Sequence, residues 1–371
     1  MDFEFSDEQE QLRDSVRRLL ADRAPLTPYV RDLYGEATAG ADDVWRALAA
    51  LGVTGLLVPE EHGGAGMGMV DAAVVLEELG RTVNPLPYAS SAIGAVSLVV
   101  EAGSPREHAF LLPDLAAGSL IGTVALYEPD RRYRVDAPVT TARRDGDTWR
   151  IDGTKVHVAD GAAAGVVLVS AAAGNELGVF AVQADADGID TTATPSVDGS
   201  RKQATVHLDG ARGWRLGEGD ATDAIARTVD RLAVAYVVDG VGAAARALEL
   251  AIEYAKERVQ FDRPIGAFQA IQHLCADMLR VVELGRAAGY YACWGIDQAG
   301  PDEAHRSATM AQAYASDAFA QLGGSAVQVF GGIGFTWEHD IHLFYKRLLT
   351  ASLALGSTDD HLAELAALAL A

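Results

Sequence analysis

Three groups of residues have the types and spacing that chemistry needs. The first is Asp230, which on a helical register has Ala226 four positions before it and Ala233, Val234 and Val237 three, four and seven after. An acid on that apolar stripe loses its charge, finds a partner or faces a pocket, because isolating a buried carboxylate costs on the order of several kcal/mol. The other register turns Asp230 outward beside Arg231 and gives the core to Leu232 and Tyr236. The pattern leaves both open. The second group is Glu257-Arg258-Val259-Gln260-Phe261-Asp262-Arg263-Pro264-Ile265-Gly266-Ala267-Phe268-Gln269, where Arg263-Pro264 and Gly266 interrupt two helical patterns. It reads as two helices joined by a short, basic, amide-bearing turn. The third is Gln328-Val329-Phe330-Gly331-Gly332-Ile333-Gly334-Phe335, a helix ending in a glycine cap with a left-handed residue.

Other chemistry is weakly represented. Glu60 to Gly68 is rich in glycine, but Met69 stands where a dinucleotide fingerprint needs a third glycine and no strand precedes it, so it is a flexible connector. Glu338, His339 and His342 lack the two-histidine-plus-glutamate metal pattern and read as an interhelical contact. Cys275 and Cys293 fall in apolar helical runs with no second pair, which predicts buried free thiols. With 52 acidic against 30 basic residues, the net charge of -22 argues against nucleic acid and anionic membranes as partners. No apolar run, including Leu362 to Ala371, reaches the length of a membrane span. The acidic start Met1-Asp2-Phe3-Glu4-Phe5 is unlike a secretory leader, so a cytoplasmic location is expected.

The elements that must position these groups follow from the periodicity. At 371 residues, 49% of them hydrophobic, the chain predicts two or three lobes. Ser6 with Gln9 opens a first helix through a capping box, Asp43 to Leu48 begins another, and Val70–Leu79 and Ser91–Ala102 continue the helical pattern. Short strands are expected at Ile121–Tyr127, Val139–Ala142, Trp149–Ile151, Val166–Val169, Val179–Val182 and Ala204–Leu208, with Asp145-Gly146 and Asp152-Gly153 as turns. Helical periods return at Asp220–Glu257, Phe268–Asp297, Asp302–Phe330 and Glu338–Ala354. The fold class is α+β: a helical domain over 1–119, an antiparallel β-sheet or barrel domain over 120–219, and a helical bundle over 220–371.

In order and spacing, several segments resemble the acyl-CoA dehydrogenase family of flavoproteins over nearly the whole chain. They are Trp45-Arg46 through Gly52, Val58-Pro59-Glu60-Glu61, Glu77-Glu78-Leu79-Gly80-Arg81, Glu128-Pro129, Asp152-Gly153-Thr154-Lys155, Glu257 to Phe261 with Phe268-Gln269, Ala276-Asp277-Met278, and Gln328 to Gly334. The resemblance implies FAD as cofactor. It implies that Arg258, Gln260, Phe261 and Gln269, with Gln328, Gly331 and Gly332, reach a neighbouring subunit's flavin. An arginine neutralises pyrophosphate charge, and amides beside glycines let phosphate approach. Leu126, Tyr127, His157, Ala159 and Ser357 fall at further flavin positions. A shared site implies an oligomer, either a homotetramer or an α₂β₂ assembly.

The reaction that the resemblance implies removes the α-proton of an acyl-CoA thioester with a carboxylate while the β-hydride passes to flavin, electrons then leaving to an electron-transfer flavoprotein. Oriented donors must stabilise the enolate-like oxygen, worth roughly 3–4 kcal/mol each. Many members carry the base after the Gly-Gly turn, where this chain has Leu355-Gly356-Ser357. Other members carry it on the first helix of the last lobe directly before an arginine, and Asp230-Arg231 matches that place. This points to Asp230 as base, with Arg231 fixing the helix and the local field. The chain departs from the family at Tyr127, at the loop Asp130 to Asp136, and at His157 and Ala159 where tryptophan and threonine usually cover the flavin. The resemblance is nearest to actinobacterial members acting on sterol side chains or other bulky acyl groups. A partner subunit lending Arg258, Gln269 and the Gly331-Gly332 turn to another chain, and a flavin monooxygenase on the same fold, are the alternatives.

Overall fold

The first helix starts where its cap predicts. The Gln9 amide donates to the Ser6 hydroxyl oxygen, and the Ser6 amide donates back to the Gln9 side chain. The computed structural model describes residues 5–39, 43–131 and 133–370; the acidic Met1 to Glu4, Arg132 of the departing loop, and Ala371 lie outside them. The helices run α1 Asp7–Arg23, α2 Arg31–Tyr34, α3 Asp43–Ala50, α4 Met69–Arg81, α5 Val96–Ala102 and α6 Pro105–Ala116. Strands follow at β1 Gly122–Ala125, β2 Thr141–Asp145, β3 Thr148–Ala159, β4 Val166–Ala173, β5 Glu176–Gln183, β6 Ile189–Thr194 and β7 Gln203–Arg215. Then come α7 Thr222–Glu257, a two-stranded ribbon of β8 Val259–Gln260 and β9 Arg263–Pro264, α8 Gln269–Gln298, α9 Pro301–Phe330, α10 Ile341–Leu353 and α11 Thr358–Leu370. No helix among the described residues is long and apolar enough to cross a membrane.

The chain divides into two compact units. One comprises Asp32–Ala72 and Pro85–Leu232. Its strands run β1-β4-β2-β3-β7-β5, and because β5 also pairs with β4 the path closes into a small barrel, with β6 added along β7. The expected antiparallel pattern holds except at β4, which takes β1 and one residue pair of β2 in parallel. The cause is connectivity: β1 arrives from α6 and leaves through a long loop, and strands not joined by hairpins are free to pair in parallel. Ile151, Val167, Val169, Phe180, Val182 and Val206 fill the barrel. A second core packs Val96, Leu98, Val99, Leu112 and Leu115 against Leu168, Val179 and Ile225. The sequence pattern missed β6, whose Ile-Asp-Thr-Thr-Ala-Thr carries too little hydrophobic contrast for a strand that is half exposed. Before α5, residues Tyr88–Ala95 form a buried π-helical stretch rather than the regular helix expected from Ser91 onward.

The other unit comprises Met1–Arg31, Ala73–Asn84 and Ala233–Ala371. Its helices approach closely because glycines face backbone: a methyl group at Gly80 would overlap the Asp239 carbonyl oxygen, and one at Gly242 would overlap that of Glu77. Beside this crossing Arg347 and Asp239, each 2% exposed, form a bidentate pair at 2.8 Å, and Arg347 also donates to the Asn84 carbonyl at 3.1 Å. Helix α11, which the sequence pattern passed over as an Ala/Leu-rich tail, is capped by Ser357 and tied to α9 by Thr358–Asp317 and His305–Glu364 hydrogen bonds. Cys293 is buried, but Cys275 is only half-buried, because α8 turns part of its surface to solvent; both are free thiols.

Candidate active site

Asp230 is 9% exposed, so the register that turns it outward is not the one adopted. Leu232, Ala233, Val234 and Val237 are buried as well. The periodicity could not choose between the two stripes because α7 is enclosed on nearly every side here, and both stripes are apolar. Arg231 turns to Glu101 of α5 at 2.8 Å, and Arg227 reaches the same carboxylate at 2.7 Å. Burial pushes the Glu101 carboxyl up, but the two guanidiniums overcome it and hold it below the ordinary range. Glu101 was not foreseen; an acid inside the apolar run Val96 to Ala102 was the available signal. Gly94 of the π-helical stretch meets Leu232 of α7 at a distance that leaves little room for a side chain, 3.2 Å from a built Cβ.

In the same unit the strand exit Leu126-Tyr127-Glu128 is brought beside β3. The Val156 amide donates to the Tyr127 carbonyl at 2.9 Å, so Tyr127 and His157 are near neighbours. His157 sits at a φ of 53° where the β3–β7 register slips, is exposed, and meets Gln203 at 3.1 Å. Ala159 has no hydroxyl to offer, and its carbonyl already accepts the Thr123 hydroxyl at 2.5 Å. The Tyr127 ring packs edge-on against Tyr133, with centroids 5.6 Å apart. Beneath them lies a buried ion pair, Glu128 with Lys155 at 2.8 Å. Burial raises the Glu128 carboxyl, but bonds from Lys155, Thr140 and Val139 bring it down to about 2; burial lowers the Lys155 ammonium to about 8 against the pull of Glu128.

The remaining predicted residues belong to the other unit. The turn after α7 is a small hairpin, not a plain break: Phe261 and Asp262 both adopt positive φ, at 52° and 60°, which a two-residue hairpin of this hand requires. Phe261 is 86% exposed, and the Gln260 amide folds back onto the Val259 carbonyl. Among the described residues the exposed Arg258 guanidinium has no ion-pair or hydrogen-bond partner. Tyr254 stacks on Phe330 at 4.4 Å, which sets the end of α7 beside the end of α9, where Gln328, Gly331 and Gly332 are exposed. Gly331 closes α9 at a φ of 66°, and its ψ of -142° places it outside the left-handed helical region expected of the cap. Built Cβ atoms at Gly331 and Gly332 would meet nothing within 4 Å, leaving their backbone open. Gln269 is exposed at the first turn of α8. Ser357 caps α11, its hydroxyl donating to Asp360 at 2.6 Å. Leu355 has a φ of 62° and offers no proton acceptor.

Glu338, His339 and His342 hold no metal-like group among the described residues. His339 packs on Phe330 at 4.3 Å and His342 on Trp337 at 4.7 Å, as an ordinary contact would. Burial lowers His342 to about 4, helped by Lys346 and Arg31 and opposed by Asp340. Since its folded value lies below the free value of about 6.5, the folded state binds fewer protons in between, and stability falls as pH drops from about 6.5 to about 4. Melting temperature against pH is expected to flatten in that window in His342→Gln; an unchanged slope would remove His342 as the cause.

Two family models match the chain: the acyl-CoA dehydrogenase N-terminal domain over residues 6–119 and the C-terminal domain over 222–370. The acyl-CoA dehydrogenase IpdE2 of Mycolicibacterium smegmatis is 32% identical over 98% of this chain and 99% of its own length. The chain belongs to the acyl-CoA dehydrogenase family. Among solved structures, a variant of the Tcur3481-Tcur3483 steroid ACAD superposes with a TM-score of 0.90 at 32% identity, covering 98% of both chains. The ChsE4-ChsE5 complex from Mycobacterium tuberculosis superposes with a TM-score of 0.90 at 27% identity, covering 99% of this chain and 98% of that one. The family's cofactor is FAD. A free arginine, exposed amides and an open Gly-Gly backbone are the donor set a dinucleotide diphosphate needs, so the residues present fit it.

Proposed function

We propose that this chain is an FAD-dependent acyl-CoA dehydrogenase in which Asp230 takes the α-proton of a bulky acyl thioester. The observation that carries the reading is the burial of Asp230 on a stripe of α7 shared with the buried Ala233, Val234 and Val237. Bound flavin supplies the hydride acceptor. The chain's own residues supply the rest. Asp230, screened from water, is the proton acceptor. Arg231, held by Glu101, fixes the turn of α7 that carries it. Arg258, Gln260, Gln269, Gln328 and the Gly331-Gly332 backbone hold the diphosphate end of a flavin, and Leu126, Tyr127, His157 and Ala159 border its ring.

Full-length protein expressed alone is the test. Its visible spectrum is expected to show bound flavin that bleaches on anaerobic titration with a branched or steroid acyl-CoA. A colourless protein sinks the catalytic reading. Arg258→Ala is expected to weaken FAD binding about ten- to a hundredfold, the worth of one charge-assisted bond. An unchanged dissociation constant in an FAD titration would remove Arg258 from the site.

A second reading, a partner subunit that lends its exposed turn to another chain's flavin, is favoured by Leu355, His157 and Ala159 standing where the family places other residues. It predicts flavin uptake only after mixing with a second chain. In either case we read the assembly as a tetramer passing electrons to an electron-transfer flavoprotein, and the chain as three segments, 1–119, 120–219 and 220–371, the middle one bracketing the strands from Gly122 to Arg215. The free thiols Cys275 and Cys293 support a cytoplasmic location.

A further inference from the structure

Glu128 does more than pair with Lys155. Its carboxylate accepts the amides of Val139 at 2.6 Å and Thr140 at 2.9 Å, so one side chain joins the point where the chain leaves β1 to the point where it returns for β2. Lys155, wholly buried, donates to Glu128 at 2.8 Å, to the Ser170 hydroxyl at 3.1 Å and to the Leu126 carbonyl at 3.3 Å. The next residue of β3, Val156, closes the set by donating to Tyr127. The bonds from β3 to the Leu126 and Tyr127 backbone thus come from Lys155 and Val156, and Glu128 follows them directly in the chain. A buried ion pair is a poor source of net stability, because apolar residues of equal volume often do as well. Positional definition is what it supplies that they do not.

We infer that Lys155 is a positioning residue for the flavin half-site: through Glu128 and the Leu126 carbonyl it fixes the Leu126-Tyr127 backbone against the strand carrying His157 and Ala159. This rests on the assignment of those four residues to the flavin ring. Lys155 touches neither cofactor nor substrate in this role. It sets the register of the loop that does, and Tyr133, seated on Tyr127, follows that register.

The test separates position from stability. Lys155→Met, Glu128→Gln, the double variant and an Ile151→Ala control in the same barrel core are compared as full-length proteins. Each is read by melting temperature, by FAD titration below its melting temperature, and by amide hydrogen exchange over residues 126–140. Lys155→Met is expected to melt earlier, to bind FAD at least about tenfold more weakly and to exchange faster at Leu126 and Tyr127. The double variant leaves no buried charge unpaired, so its melting temperature recovers while the weak FAD binding and fast exchange persist. Ile151→Ala melts early yet binds FAD as the parent does. Affinity that recovers with stability in the double variant, or falls with stability in the control, overturns the inference. A parent protein that takes up no FAD overturns the half-site assignment with it, and that result differs from a parent that binds and a double variant that binds equally.

Discussion

Asp230→Asn is expected to bind flavin as tightly as the parent and to lose substrate-dependent bleaching, with turnover down about a thousandfold, within the range for removing a general base. The amide keeps the size and most of the hydrogen-bonding capacity of the acid, and only the ability to accept a proton is gone. The flavin absorbance is therefore expected to be unchanged at rest and to stay oxidised when acyl-CoA is added anaerobically. Asp230→Glu adds the methylene that a longer-armed base would have, and retains at least part of the bleaching if reach is adequate. The base cannot be Leu355, which has nothing to accept a proton with, and the turn around it is occupied by the α11 cap. Complete bleaching of the asparagine variant would take Asp230 out of the mechanism and assign the proton to another base, while still arguing against the partner-subunit reading.

The architecture was legible because periods change sharply along this chain. Strand alternation between Leu120 and Arg215, flanked by long helical periods, places the barrel and the bundle without reference to any contact. Asp230 stood out for a related reason, as an acid whose neighbours three and four away are apolar, although the period left its burial open. Its twin was not noticed: Asp239, 2% exposed, lies on the same helix among valines, and what distinguishes it is Arg347, more than a hundred residues later. Sequence spacing reports helical neighbours and is silent about such partners. The same limit hid the Lys155–Glu128 pair, although both residues stood in noticed motifs, and it hid Glu101. The hairpin at Phe261-Asp262 escaped because its positive-φ residues are not the asparagine and glycine that usually announce such a turn. Strained, exposed backbone at a turn proposed to reach a cofactor is where local rules are expected to fail.

Arg347→Met is expected to destabilise the protein by about 3–5 kcal/mol, the typical cost of leaving one member of a buried ion pair alone. Methionine fills much of the space but strands the Asp239 carboxylate, 2% exposed, and the Asn84 carbonyl that the guanidinium also serves. Room for rearrangement is small, since Gly80 already abuts the Asp239 backbone. Combining Arg347→Met with Asp239→Asn removes both charges and is expected to recover a large part of the loss, which denaturant unfolding of the four proteins measures as a coupling energy. The contrast with Asp230 is the point of the experiment. Asp239→Asn is expected to lower stability while the surviving folded fraction still bleaches with substrate, whereas Asp230→Asn is expected to do the reverse. Two buried aspartates on one helix are thereby separated by what holds them. A clamped carboxylate at 2.8 Å from Nε and Nη2 of Arg347 has its charge neutralised by a fixed partner and is poorly suited to accept a substrate proton. If Asp239→Asn instead left stability intact and abolished bleaching, the roles assigned to the two acids would have to be exchanged.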